Sequence, residues 1–267
     1  MRVVLSRKGF DSVAGGKPSP VLPDHTMLSL PIPEIPDIKL RTYDELNIDS
    51  EIKKFYKLSG KWCHLDPDIR AEFWELEKEW YPAFGQCASS GGHLKRELAL
   101  ETDKEFQEEI LFLFFGWFQH WNGDHLYDKS FQAVWGYMVC DRVIRTQREM
   151  PNWHPHAHFK SVDNNLLFVA KEDCCGTFKY CEDLKLTAPG QKPSRWKKNC
   201  LPWFDADNRN ANMTYHKSTK CFKDDYFQSV GRGQEFVVTT PAKTVDNLDW
   251  THCDFAKIME NLQKMYK

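Results

Sequence analysis

Residues 6–12 of the chain read SRKGFDS and follow a short β-type run at 3–5, with paired glycines soon after at Gly15 and Gly16. Arg7 and Lys8 are cationic side chains, Ser12 carries a hydroxyl, and the glycines free backbone N–H groups. That combination suits a phosphate or pyrophosphate, with Asp11 in the same turn. The spacing fits neither GxxxxGK[ST] nor GxGxxG, so neither standard nucleotide loop is implied. A surface turn with ordinary salt bridges is the plain alternative.

A second group lies in HLDPDIR, residues 64–70, where His64, Asp66 and Asp68 fall within five positions. Two carboxylates beside an imidazole can divide acid and base roles or hold a metal. An Asx turn at Pro67 and a helix cap by Asp68 would explain both aspartates without function, but would leave His64 unexplained. In GQCASSGGHL, residues 85–94, small residues let backbone amides approach a ligand, while Gln86 and His93 offer directional hydrogen bonds. Cys87 would serve as a nucleophile only with a base nearby and a lowered pKa. GQEFVV, residues 233–238, sets Gln234 and Glu235 at the start of an apolar strand. A glutamate there must be an edge residue, a paired buried charge or a catalytic carboxylate.

HPHAH sets His154, His156 and His158 at alternate positions, on one side if the segment is extended. Pro155 opposes a continuous helix, and neither an HExxH helix nor a distant carboxylate partner is identifiable. Zinc at these three histidines is therefore disfavoured. Cys174, Cys175, Cys181, Cys200 and Cys221 lack paired CxxC knuckles, and no metal ligand set is assigned.

These segments need elements to hold them. The pattern predicts a first strand at 3–5, an extended piece at 26–32 closed by PIPEIP, and a helix capped at 49–50 and running to 58. A second helix is predicted over 69–80, with Phe73, Leu76 and Trp80 at helical spacing, and 85–94 is read as a loop. Runs 110–118 and 133–144 read as central twisted strands, each with an internal glycine, and 164–170 and 233–238 as further strands. A C-terminal helix is expected over 255–266. The class expected is α+β: one domain over 1–267, with 241–267 a helical extension. Its core is a central mixed or partly barrel-like sheet flanked by helices.

Bulk properties set limits on function. The chain has 267 residues, with 36 Lys and Arg against 38 Asp and Glu, a formal net charge of −2. Such a balance excludes a wholesale electrostatic grip on duplex DNA while allowing a local basic groove. The apolar run at 110–118 is far too short to span a bilayer, and residues 1–6 are too short for a signal-peptide core. Nine cysteines, an odd number, fit reduced thiols better than a disulfide framework. A soluble cytoplasmic protein without a membrane partner is expected. Phe 18, Trp 10 and Tyr 9 supply either a dense core or stacking platforms for bases, with Trp117 and Trp135 as base-stacking candidates.

Taken in order, SRKGFDS, GGKPSP, HLDPDIR, GQCASSGGHL, FLFFGWF, VWGYMV, HPHAH, the spacing of Leu186, Thr187, Pro189, Trp196 and Leu201 to Phe204, and GQEFVV resemble the nucleotide modification associated domain family, type three. The resemblance covers the chain to about residue 240. It implies a part in DNA base modification and gives no reaction. In this reading a nucleotide or DNA is the partner, and Arg7, Lys8, Asp11, Ser12, Gln86, His156 and Gln234 bind it. His64, Asp66, Asp68, His93 and Glu235 supply the catalytic groups. The cofactor stays open, with NAD or a nucleotide-linked donor as options. Two rivals stand beside this enzyme: a non-catalytic reader of modified bases with an aromatic pocket, and an NAD-dependent ADP-ribosyl or glycosyl transferase.

Overall fold

The computed structural model describes residues 1–34, 38, 40–70, 80–100, 109–198, 200, 225–229, 235–239, 257, 258 and 260. Its centre is β7 (Ile110–Trp121) paired antiparallel with β8 (Leu126–Ile144). Both are rich in aromatic and aliphatic residues, and β7 is buried along nearly its whole length. The strands of the main sheet are β1 (Arg2–Arg7), β2 (Ser19–Val21), β6 (Ala83–Gln86), β7, β8, β9 (Leu166–Thr177) and β12 (Phe236–Thr239). Their order is β12-β1-β7-β8-β9-β6, with β2 also on β7. The pairings β1–β7 and β2–β7 are parallel and the rest antiparallel, which makes the sheet mixed. It curls into a half-barrel, its bulges on β8 supplying bends.

β1 and β2 lie one after the other along the same edge of β7: Arg7 sits opposite Phe115 and Ser19 opposite Phe118. The chain between them, residues 8–18, must therefore leave the sheet and return. Helix α1 (Ser50–Tyr56) secures that excursion. Asp49 caps α1 by accepting from the N–H groups of Glu51 and Ile52, as the sequence predicts. Tyr56 then donates its hydroxyl to the Pro18 carbonyl, and its ring meets Phe10 edge-on at 5.8 Å.

A small sheet forms from β3 (Ile32–Pro33), β4 (Arg41–Thr42) and β5 (Trp62–His64), and a second from β10 (Arg195–Trp196) and β11 (Phe227–Gln228). The expected α+β class, with a mixed, partly barrel-like sheet, describes this fold, although strands outweigh helices. Residues 71–79 of the expected second helix lie outside the described residues. Within the expected C-terminal extension, residues 257, 258 and 260 are described and are helical.

Two local expectations are corrected. Residues 85–94 are not a loop: they end β6 and begin helix α2 (Ala88–Glu97). The small residues serve packing, since a Cβ on Gly91 would stand 2.1 Å from the Asn164 carbonyl oxygen. HPHAH is likewise not extended. Pro155 starts a single 3-10 turn, and the His154 ring closes it by accepting from the His156 N–H, so alternation does not put three imidazoles on one side.

Candidate functional site

Where β1 ends, six separate stretches of chain meet around a cavity of about 280 Å³. β1 and its exit loop contribute Arg7, Lys8 and Asp11; β3 contributes Glu34 just beyond its end; β5 contributes His64, with Asp66 two residues on. β6 adds Gln86, followed by Cys87; the 3-10 turn adds His156, followed by Phe159; and Glu235 immediately precedes β12.

Strand register explains the meeting. Phe236 pairs with Leu5 across β12 and β1, which sets Glu235 against Ser6. Ile32 pairs with His64 across β3 and β5, so Glu34 stands within reach of the imidazole. Gly85 leaves room for the His156 ring, which a Cβ there would meet at 2.3 Å.

Asp66 is the hub. Its Oδ1 accepts from the Gly85 N–H at 2.7 Å, and His154 Nε2 stands 3.7 Å away. Its Oδ2 is 3.4 Å from Lys8 Nζ, 3.8 Å from His64 Nε2 and 3.9 Å from His156 Nε2. Burial alone would raise this carboxyl, but Lys8 and the surrounding imidazoles outweigh it and hold Asp66 well below the usual carboxylate range. His64 is the converse case. Burial opposes its charge, yet Asp66 and Glu34 raise it to about 9. Burial drives His156 down to about 3 and lowers His154 as well.

Glu235 is 2% exposed. Its Oε1 accepts from the Gln86 amide and from the Ser6 hydroxyl, while its Oε2 has no hydrogen-bond partner among the described residues. Burial raises its pKa despite the nearby Lys8 ammonium and these two donors. A carboxyl raised above its ordinary value, with one oxygen uncommitted, can give or take a proton.

The remaining predicted residues divide. Asp11 lines the cavity, but its Oδ1 also closes the exit loop by accepting from the N–H groups of Val13 and Ala14. Lys8 is committed to Asp66 and lies over the Phe84 ring at 4.2 Å, so it neutralises an internal charge as well as facing the cavity. Ser12 is exposed and does not line the cavity. His93 and Asp68 lie behind the wall. His93 hydrogen-bonds the Glu235 backbone, and Asp68 accepts from the Ala83 N–H at 3.2 Å. Burial, with Asp66 adding to it, raises Asp68 well above the carboxylate range, which suits a protonated structural group. Gln234 lies outside the described residues.

Neither tryptophan proposed for stacking lines the cavity, and Trp135 is buried in the core. Its aromatic wall includes Phe159, stacked on His64 with centroids 5.9 Å apart. Burial pushes the Cys87 thiol up, the reverse of nucleophile activation. The seven described cysteines are all free.

Sequence reading missed Glu34, Ser6 and Asn165. Glu34 was detectable as the one charge inside PIPEIP, a proline-ruled extended stretch. Ser6 and Asn165 carry no comparable signal, because each acts through a neighbour, Ser6 on Glu235 and Asn165 on His156 in the 3-10 turn.

A sequence profile described as nucleotide modification associated domain 3 matches residues 2–239 of the chain. No curated protein and no solved structure matches it.

Proposed function

Since the chain belongs to the nucleotide modification associated domain 3 family, we propose that it is an enzyme acting on a nucleotide or a DNA base, with the phosphate-bearing substrate held in the cavity at the end of β1. The observation that carries this reading is Glu235: a buried carboxyl with one oxygen uncommitted, sharing a cavity with Arg7 and Lys8. Arg7 takes the substrate phosphate through its guanidinium, a fixed, planar, multidentate donor. Glu235 exchanges a proton with the reacting base or sugar, or steadies positive charge developing there. Gln86 and Ser6 hold Glu235 in place, and Asp66 with its imidazoles forms the opposite, charge-dense wall.

A transferase reading with NAD as donor has one observation in its favour. The antiparallel pairing of β12 with β1 brings the late glutamate to the end of the first strand, where it lines one cavity with Arg7, a layout similar to that in which an arginine holds pyrophosphate and a glutamate stabilises an oxocarbenium-like ribose. Reading of modified bases by an aromatic pocket draws little support from a wall with neither Trp117 nor Trp135.

Mass spectrometry of nucleosides from cells expressing the chain tests the enzyme reading. A base or nucleotide mass present with the parent chain and lost with Glu235→Gln is expected. Tight binding of modified DNA by both forms, with identical nucleoside profiles, would establish a reader instead. A melting shift with NAD alone would single out the transferase.

A further inference from the structure

Two histidines and a carboxylate in the cavity wall are oriented by their neighbours in a way that proton transfer does not require. Asn165 Nδ2 donates to the His156 carbonyl at 2.8 Å, which fixes its Oδ1 as the atom 2.7 Å from His156 Nδ1. Nδ1 therefore carries the proton, and in the neutral ring Nε2 presents a lone pair. His64 is held likewise, its Nδ1 3.0 Å from the Glu34 carboxylate, with Nε2 turned inward. Both inward nitrogens converge on Asp66 Oδ2, and the three donor atoms lie within 4.8 Å of one another. The other oxygen, Oδ1, is engaged by the Gly85 N–H. Behind it His154 is fully buried, and its Nε2 has no hydrogen-bond partner among the described residues.

Three metal-ligating atoms face one point, and an ion there would displace the proton that His64 Nε2 otherwise holds toward Asp66. We propose that His64 Nε2, Asp66 Oδ2 and His156 Nε2 bind one divalent first-row transition-metal ion, with its remaining positions open to the cavity. A tetrahedral ion with bonds of roughly 2.0–2.2 Å spaces its donors about 3.3–3.6 Å apart. Here the imidazole nitrogens stand 3.8 and 3.9 Å from the carboxylate oxygen, a few tenths of an ångström beyond that spacing, and within 4.8 Å of each other. Glu34 and Asn165 are the partners such ligands require on their far nitrogens. His158 takes no part: its ring is exposed and bonds the Asn152 carbonyl. Zinc or iron(II) suits two imidazoles and a carboxylate better than magnesium or calcium, which favour all-oxygen sites. The ion belongs to the cavity proposed above for the nucleotide and rests on that reading for its use, but not for its binding.

Titration of the metal-stripped chain with cobalt(II) chloride, followed by visible d–d absorption, tests the site. One equivalent is expected to bind with the absorption of a low-coordinate ion. His64→Ala and His156→Ala should weaken binding by more than about 100-fold, and Asn165→Ala by about 10–100-fold. Lys8→Met, which removes a neighbouring positive charge, should tighten it, and His158→Ala should leave it unchanged. Thermal melting monitors folding, and Glu34→Gln provides a milder outer-shell variant. Absence of d–d absorption from the folded parent overturns the proposal, as does equal cobalt affinity in the parent and a folded His64→Ala/His156→Ala double variant. Cobalt binding without nucleotide binding would sink the functional reading alone, and nucleotide binding without cobalt would sink the metal alone.

Discussion

Two buried polar clusters in this molecule are built on opposite principles. Around Gln132 on β8 the hydrogen-bonding groups are neutral and bonded to one another. The Gln132 N–H donates to Thr187 Oγ1 at 2.8 Å, that hydroxyl donates to the Pro193 carbonyl at 2.8 Å, and Trp196 Nε1 donates to Gln132 Oε1 at 2.6 Å. At the end of β1 the buried groups are ionisable, and several are unanswered among the described residues: His154 Nε2, Asp68 Oδ2 and Glu235 Oε2. Unmade hydrogen bonds and unpaired charges are costly in a low-dielectric interior. The first cluster ties the 184–196 segment to the sheet and is architecture. The second keeps buried polar atoms beside a cavity, at a cost in stability that architecture alone does not require.

The comparison is sharpest at Glu235. Glu235→Gln keeps the shape and the bonds from Gln86 and Ser6, and should lower turnover by about 10²–10⁴-fold, measured as modified nucleoside formed. The same change should raise stability. Burial lifts the folded-state pKa of Glu235 above its ordinary 4.5, so the folded chain holds this proton more tightly than the unfolded one. The parent therefore has its full stability below the ordinary value and loses some as pH rises through it toward the lifted one. Melting temperatures of parent and variant should coincide in acid and separate, in the variant's favour, toward neutral pH. A variant that melts lower at neutral pH would make Glu235 structural.

Gln132→Leu should do the reverse. It strands the indole N–H of Trp196 and should cost about 1–3 kcal/mol in denaturant unfolding, with nucleotide binding unchanged in the fraction that stays folded. Arg7→Ala should weaken nucleotide binding by about 10–100-fold in a calorimetric titration, since a charged hydrogen bond is lost, with little change in melting. Ser12→Ala should alter neither binding nor melting by more than about 0.5 kcal/mol, because its side chain is exposed away from the cavity. A large effect there would mean that the phosphate sits further along the exit loop.

Much of the frame was legible because it follows from local pattern. The aromatic and β-branched runs at 110–118 and 133–144 identify β7 and β8, and Asp49 marks the start of α1. Legibility failed where tertiary contact overrides local chemistry. Gly91 reads as a loop residue because nothing in the sequence announces the Asn164 backbone against which it packs. HPHAH reads as a strand by alternation, although the capping bond between His154 and His156 winds it into a turn. The cavity residues were recognisable by type, and Arg7, His64, Asp66, Gln86, His156 and Glu235 all line it. Their arrangement was not, since Glu34 and Ser6 act across strand registers, and Asn165 on a turn, that sequence does not encode locally. No helix among the described residues is long and apolar enough to cross a membrane, in keeping with the composition.

A crystal structure of the chain soaked with a deoxynucleoside 5′-monophosphate addresses the central claim most directly. The phosphate should lie at about hydrogen-bond distance, roughly 3 Å, from the Arg7 guanidinium, with the sugar or base facing Glu235. Nucleotide density elsewhere on the molecule, with only water between Arg7 and Glu235, would contradict it.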